Sequence, residues 1–341
     1  MKTRLCIFSF LIMIVFCSIN LYAGGRSDAE TRNNEVVVYA YDSFVSEWGP
    51  GPEIARRFKE ETGYTVTLVS CGDAAQVLSR AIIEKKHPRA DVLLGIDNTL
   101  FDQARNAEIL EPYKPTGAET AFPPELRFAN DWLLTPYDWG DFSIVFDTAS
   151  GINPPKSLED LTKSEYANKL ILMDPRMSTP GAGFLAWTLV VYGDSYSDYW
   201  RRLKPSILTM APSWDSGYGL FVSGEAPLVI SYTTSPAYHL EYEESTQYQA
   251  LIFTQGHVRQ IEGAGLVRGA KNVPAAKAFI DFLIRTDIQS LLPLTQWMYP
   301  VSPAVPLPNS FSAAPRTDNI LSVPQGKLQG AIDVVMGILS E

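Results

Sequence analysis

Cysteine and histidine are scarce in this chain, with three of each among 341 residues. His87, His239 and His257 have no second histidine or cysteine at ligand spacing, which argues against a metal site built on them. No nucleophile-elbow glycine pattern surrounds a serine, and Gly181 and Gly183 lack the full spacing of a nucleotide-binding fingerprint, so nothing in the motifs argues for turnover. Positive charge is also in short supply. The 28 Lys and Arg are outnumbered by 38 Asp and Glu, giving a net charge of -10, and they form no dense run. Nucleic acid is therefore a poor partner. Internal repeats and low-complexity segments are absent, and after the first 25 residues no apolar run approaches membrane-spanning length.

What the chain does have begins with an export signature. Lys2 and Arg4 precede an apolar stretch from Cys6 to Cys17, and Leu21-Tyr22-Ala23 followed by Gly24 offers a small-residue cut. Residues 1–23 read as a signal peptide cleaved after Ala23, which places the protein in the periplasm. An uncleaved anchor is weakened by Ser18 and Asn20, and a lipid anchor at Cys17 by the bulky Phe16 before it. Cleavage removes Lys2 and Arg4, taking the net charge from -10 to -12, and leaves Cys71 as the lone cysteine. No internal disulfide is then available, and Cys71 reads as a small buried hydrophobe before it reads as a nucleophile.

Residues 24–35 read as a flexible lead. The run Val36 to Tyr41 has the continuous β-prone character of a strand covered on both faces. Pro52, Ile54, Phe58 and Gly63 then mark a helix with Pro in its first turn and Gly past its end. Strands at Thr65 to Val69 and Asp91 to Gly95 alternate with helices at Ala74 to Lys85 and Asn98 to Ala107. This alternation predicts an α/β fold with parallel strands and crossover helices. Residues 112–136 are rich in Pro and polar side chains. A short strand at Ser143 to Asp147 follows, and alternation restarts with a helix near Ser157, a strand at Leu170 to Met173, helices from Gly181 and Tyr196, and a strand at Leu228 to Ser231. Two such units separated by an extended passage predict two lobes with a cleft between them. Two tail helices, Pro274 to Arg285 and Gln325 to Leu339, must pack on one of the units.

Two helix starts suit an anion. Asp174 to Gly183 supplies a Ser or Thr N-cap, Pro in the first turn and small residues that leave backbone N–H groups open, and Cys71-Gly72-Asp73-Ala74 is a second candidate. Each reads equally well as a plain helix cap. Trp48, Trp139, Trp214, Tyr218, Tyr232, Tyr238, Trp297 and Tyr299 mostly sit beside Gly, Pro, Ser or Asp, in loop-like contexts. Such aromatics make flat walls for a planar or cationic ring, or cap the edges of a core.

Several blocks carry a family resemblance. Tyr41-Asp42-Ser43-Phe44 with Trp48-Gly49-Pro50-Gly51-Pro52, Ala90 to Asn98, Asp174-Pro175-Arg176 with Ser178-Thr179-Pro180-Gly181, Leu228 to His239 and Trp297-Met298-Tyr299-Pro300 together resemble the thiamine-binding periplasmic proteins of ABC import systems. The resemblance spans Val36 to Pro300, and Tyr232-Thr233-Thr234-Ser235-Pro236-Ala237-Tyr238-His239 is its most specific block.

The resemblance implies a type 2 periplasmic-binding-protein fold of two lobes, each a mixed sheet flanked by helices. Its two hinge crossings fall near Asp138 to Phe146 and His257 to Gly265. Lobe 1 would comprise residues 36–140 plus 262–341 and lobe 2 residues 141–261, closing on the ligand about the joining strands. It also implies ligand contacts at Asp73, Ala74, Ser178, Thr179, Trp214, Tyr232, Thr233, Thr234 and Ser235, with Tyr41, Tyr238 and Trp297 as further walls. Ala74 departs from the glycine expected there. The implied cargo is thiamine, its monophosphate or its diphosphate, with no separate cofactor and no metal, and the implied partners are an ABC permease and its ATPase subunit, the receptor being a monomer. Ferric ion held by Tyr41, Tyr232 and Tyr238, a polyamine, and an exported enzyme using Cys71 or Asp73 are the rival readings.

Overall fold

The structure is a computed structural model that describes residues 34–323 and 326–341. The expected signal peptide and most of the lead lie outside the described residues. Strands are β1 (Glu35–Ala40), β2 (Thr65–Ser70), β3 (Val92–Asp97), β4 (Leu110–Glu111), β5 (Thr135–Asp147), β6 (Leu170–Met173), β7 (Ile207–Ala211), β8 (Leu228–Tyr232), β9 (Tyr248–Ala250), β10 (His257–Val267), β11 (Tyr299–Pro300) and β12 (Ile320–Leu321). Helices of seven or more residues are α1 (Gly51–Thr62), α2 (Ala74–Ile83), α3 (Phe101–Ala107), α4 (Thr179–Tyr192), α5 (Tyr196–Leu203), α6 (Trp214–Val222), α7 (Pro236–Glu243), α8 (Val273–Leu283) and α9 (Leu328–Ser340).

The strand order is β2-β1-β3-β10-β5-β8-β6-β7. On one side β2, β1 and β3 run parallel, and on the other β8, β6 and β7 do. Between these blocks lie two long strands that pair antiparallel with each other and with their outer neighbours. The first half of β5 pairs with β10 and the second half with β8, so one strand belongs to both lobes. The expected crossings fall on these two strands.

Each lobe has its own core. Val36 and Val38 of β1 pack with Ile54, Phe58, Phe279 and Phe282 on one face, while Tyr39 turns into a second cluster with Val77, Leu78 and Leu93. That two-sided burial is why β1 reads as an unbroken apolar run. The second lobe is built on β5, β6 and β8 with Phe184, Trp187, Tyr199 and Trp200. Gly181 and Gly183 serve this packing rather than ligand access. A Cβ at Gly181 would lie 2.3 Å from the Met173 carbonyl oxygen, and one at Gly183 would lie 2.1 Å from the Phe142 ring.

Three expectations are corrected. The strand expected at Ser143 begins eight residues earlier, at Thr135, because Pro136, Asp138, Gly140 and Asp141 are buried ladder residues despite their loop-like chemistry. The helix expected near Ser157 is replaced by two 3-10 turns, Asp160–Thr162 and Ser164–Tyr166. There the Asp160 carboxylate accepts from the Lys156 N–H and the Ser157 hydroxyl from the Asp160 N–H, bonds that compete with a regular helix.

The third concerns the tail. Helix α8 packs on lobe 1 as expected, but α9 places Ala331, Ile332, Val335 and Ile338 in the lobe 2 core against α4 and α5. The chain therefore passes between the lobes once more. On the way Phe311 and Ala314 pack beside Ala237, and β12 pairs with the start of β10. Ile338 is 3% exposed, so Ile338→Ala should cost about 2–5 kcal/mol. Amide exchange should then quicken in α4 and α5 while β1–β3 stay protected; the reverse pattern would return α9 to lobe 1.

Candidate functional site

A cavity of about 670 Å³ opens between the lobes. It lies at the carboxyl ends of the parallel strands, beyond Ala40 of β1 and at Tyr232 of β8, where open α/β sheets place ligands. Lobe 1 contributes Tyr41, Trp48, Asp73, Glu262, Gln296, Trp297 and Met298, and lobe 2 contributes Thr179, Trp214, Tyr218, Tyr232, Ser235, Tyr238 and Tyr242.

At one end two helix starts face each other. Asp73 caps α2, accepting from the Ala74 N–H at 2.8 Å, while its own N–H donates to Gln76 Oε1 at 2.7 Å. Opposite it, α4 begins at Thr179 with no acidic residue in its first turn, and Ser178 makes no side-chain cap. The hydroxyls of Ser178 and Thr179 are buried without a hydrogen-bond partner, and Thr179 lines the cavity. Asp174, just before this start, is held by Arg176, which lowers its pKa.

The aromatic walls are fixed by their polar ends. Trp214 stacks on Tyr218 at 5.0 Å and 19°, and its indole N–H donates to Ser231 Oγ at 2.8 Å. Tyr218 OH is hydrogen-bonded to His239 Nε2, whose Nδ1 meets Glu243. Tyr232 stacks on Phe142 and donates to Gln260 Oε1 at 2.6 Å. Trp297, with φ +58°, sets its ring edge-on to Tyr238 at 5.3 Å and to Tyr242 at 5.6 Å, so lobe 1 meets α7 of lobe 2 across the mouth. Tyr41 donates to Glu262 and accepts from Gln296. Its ring crosses Gly95, where φ is +92° and a Cβ would sit 2.2 Å from the ring, so only glycine fits.

Of the expected site residues, Tyr41, Asp73, Thr179, Trp214, Tyr232, Ser235, Tyr238 and Trp297 line the cavity. Ala74, Ser178, Thr233 and Thr234 are buried behind it. Thr233 and Thr234 shape the loop into α7, through Thr233 N–H to the Asp141 carbonyl and Ala237 N–H to the Thr234 carbonyl. Glu262, Gln296, Tyr242 and Asp215 were not foreseen. Glu262 carried a signal, a carboxylate within the strand-like stretch His257 to Val267. Gln296 and Tyr242 carried none.

Two rival chemistries find no support. Burial raises the Cys71 thiol pKa, which disfavours the thiolate. Burial beside carboxylates raises the phenols of Tyr41 and Tyr232 well above their ordinary value, and both hydroxyls are already committed, to Glu262 and to Gln260. Among the described residues, no group of three or more His, Cys, Asp or Glu is placed to hold a metal ion.

With this geometry in view, the relatives are informative. Residues 87–319 match the family model described as bacterial extracellular solute-binding protein. A thiamine-binding periplasmic protein of Brucella abortus biovar 1 (strain 9-941) is 40% identical over 302 residues, covering 88% of this chain and 89% of the relative. The chain belongs to the thiamine-binding periplasmic proteins. A solved periplasmic thiamin binding protein superposes with a TM-score of 0.85 at 35% identity, covering 90% of this chain and 96% of that one. The ferric binding protein of Campylobacter jejuni, with a TM-score of 0.74, 19% identity and coverage of 89% and 98%, shares the fold alone. Thiamine-binding periplasmic proteins are solute receptors, and the fold here is their two-lobed type 2 architecture with hinge crossings on β5 and β10.

Asp73 gives the site a measurable signature. Burial pushes its carboxyl up to about 6, with Asp215 and Asp42 adding repulsion, against the Ala74 N–H and the nearby Ser178 hydroxyl. A raised folded pKa means that its stabilising contribution is full below the unfolded value near 3.8 and is lost as pH rises through about 6. Asp73→Asn keeps a capping side chain without the charge. Its melting temperature should exceed that of the unliganded wild type above pH 6, the gap closing towards pH 4. A gap that widens on acidification would contradict the assignment.

Proposed function

We propose that this protein captures thiamine, or its mono- or diphosphate, in the interlobe cavity and hands it to an ABC permease driven by its ATPase subunit. It would do so as an exported monomer, cleaved after Ala23, that binds without catalysis. The carrying observation is that one cavity combines fixed aromatic walls with a helix start whose cavity-facing Thr179 hydroxyl has no partner.

Thiamine has a permanently cationic thiazolium, a planar aminopyrimidine and a hydroxyethyl arm that can bear phosphate. Trp214, Tyr232, Tyr238, Tyr41 and Trp297 suit the rings, since π faces attract both planar groups and cations. Thr179, with Ser178 behind it, suits the hydroxyl or phosphate, because the start of α4 presents the positive end of the helix dipole. On the opposite side Asp73 and Ala74 complete this end. Thr233, Thr234 and Ser235 hold Tyr232 and α7 in place. In lobe terms, residues 36–140 and those from 262 through β11 act as one body and residues 141–261 with α9 as the other.

Trp214 is the decisive wall, being locked by Tyr218 and Ser231 before any ligand arrives. Calorimetry on Trp214→Ala should show thiamine affinity reduced by about tenfold or more, the order of one lost aromatic contact. Unchanged affinity would remove the ring-wall role.

A further inference from the structure

Three carboxylates lie side by side across the strands that join the lobes. Glu262 of β10 is in register with Asp97 of β3 on one side and Asp138 of β5 on the other. Asp97 and Asp138 have no exposure, and Glu262 is 6% exposed, on the cavity wall. Among the described residues, no lysine or arginine is paired with any of the three, and Arg259 on the same strand is committed to Asp141. Asp97 accepts at Oδ1 from Thr99 and the Leu100 N–H, while its Oδ2 has no donor.

Glu262 is held from three sides, by Tyr41 OH at 2.7 Å, Tyr137 OH at 2.6 Å and Gln260 Nε2 at 2.6 Å. Both oxygens of Asp138, by contrast, lack any donor. The physical solution for two adjoining buried carboxyls without a cation is one proton held between them. Gln296 Oε1, buried on the same cavity wall, is a further acceptor without a donor. The wall is therefore short of positive charge and of donors together.

We propose that Glu262 is the counter-charge for the cationic part of the cargo, and that capture expels the proton it shares with Asp138 into solvent. The proposal rests on the thiamine reading. No bond is made or broken beyond that O–H, and the cation takes the place of the proton. Asp138 acts through Glu262 and is a positioning residue. The groups acting on Glu262 are Tyr41, Tyr137, Asp138 and Asp73, with Asp97 and Tyr232 also facing it; none carries positive charge. Burial is the chief cause raising both carboxyls, and repulsion from Glu262 adds to it at Asp138, as a shared proton requires.

The signs follow. The free receptor holds the proton and the complex does not, so thiamine affinity should rise with pH wherever the free receptor keeps that proton, with a slope equal to the protons released. Titration calorimetry with thiamine at neutral pH, in buffers of different ionisation enthalpy, counts that release directly. Wild type should release a fraction of a proton up to one per thiamine, and Asp138→Asn should abolish the release, because the three donors on Glu262 then face a single carboxylate with no second carboxyl to share a proton. Glu262→Gln should weaken thiamine by at least about thirtyfold, the scale of a lost buried charge partner. It should weaken a neutral thiophene analogue, with carbon in place of the quaternary nitrogen, by far less. Wild type that binds thiamine without proton release, or Glu262→Gln weakening both ligands equally, overturns the proposal alone. Wild type that gives no binding heat with thiamine overturns the cargo reading and the proposal with it.

Discussion

The antiparallel pairing of β5 with β10 is the constraint on which the rest of the molecule depends. These strands sit between two parallel blocks, and β5 exchanges one partner for another halfway along its 13 residues. Each lobe buries its own core because the joining strands are divided between them, Phe142, Ile144 and Phe146 of β5 packing in lobe 2 and Ala264 and Leu266 of β10 in lobe 1. The cavity lies where it does because the parallel strands on both sides end towards the same gap. A join made of ladder hydrogen bonds also lets the lobes move while their cores stay intact, which is how hinge-closing receptors work.

That join explains why polar residues are buried in mid-strand. Asp138, Asp141, Gln260 and Glu262 have little exposure, and each either shapes the join or faces the cavity. Arg259 with Asp141 and Tyr232 with Gln260 tie β10 to β5 and to β8 beside the crossing. In an ordinary core such groups would be destabilising. Here they pre-arrange Tyr41 and Tyr232 around a gap, so that walls and charge are in place before a ligand enters.

How much of this the sequence disclosed varies with the physics of each segment. β1, β3, β6 and β8 were legible because two-sided burial demands apolar runs such as Val36-Val37-Val38. The starts of α2 and α4 were legible because Asp73 and Ser178-Thr179-Pro180 are local signals. β5 was only half seen, because Pro136, Asp138 and Gly140 carry loop chemistry into a ladder. The docking of α9 on lobe 2 was missed because an apolar helix face does not name its partner. At the site, six of the eight aromatics read as loop residues line the cavity, but Trp214, Tyr218, Tyr232 and Tyr238 do so from helices and a strand, while Trp139 and Tyr299 lie in strands away from it. Glu262 escaped notice because its meaning comes from Asp138, 124 positions away in sequence yet directly across the ladder.

A cavity walled by Trp214, Tyr232 and Trp297 and edged by Thr179 and Glu262 suits a ring-bearing cation with an anionic or hydroxyl arm. The decisive check is to purify the protein natively, denature it and identify the released small molecule by mass spectrometry. Receptors that enclose their cargo between lobes can retain it through purification. Thiamine or one of its phosphates is expected at close to one per chain. Stoichiometric recovery of a polyamine, or of ferric ion by elemental analysis of the same sample, would contradict it.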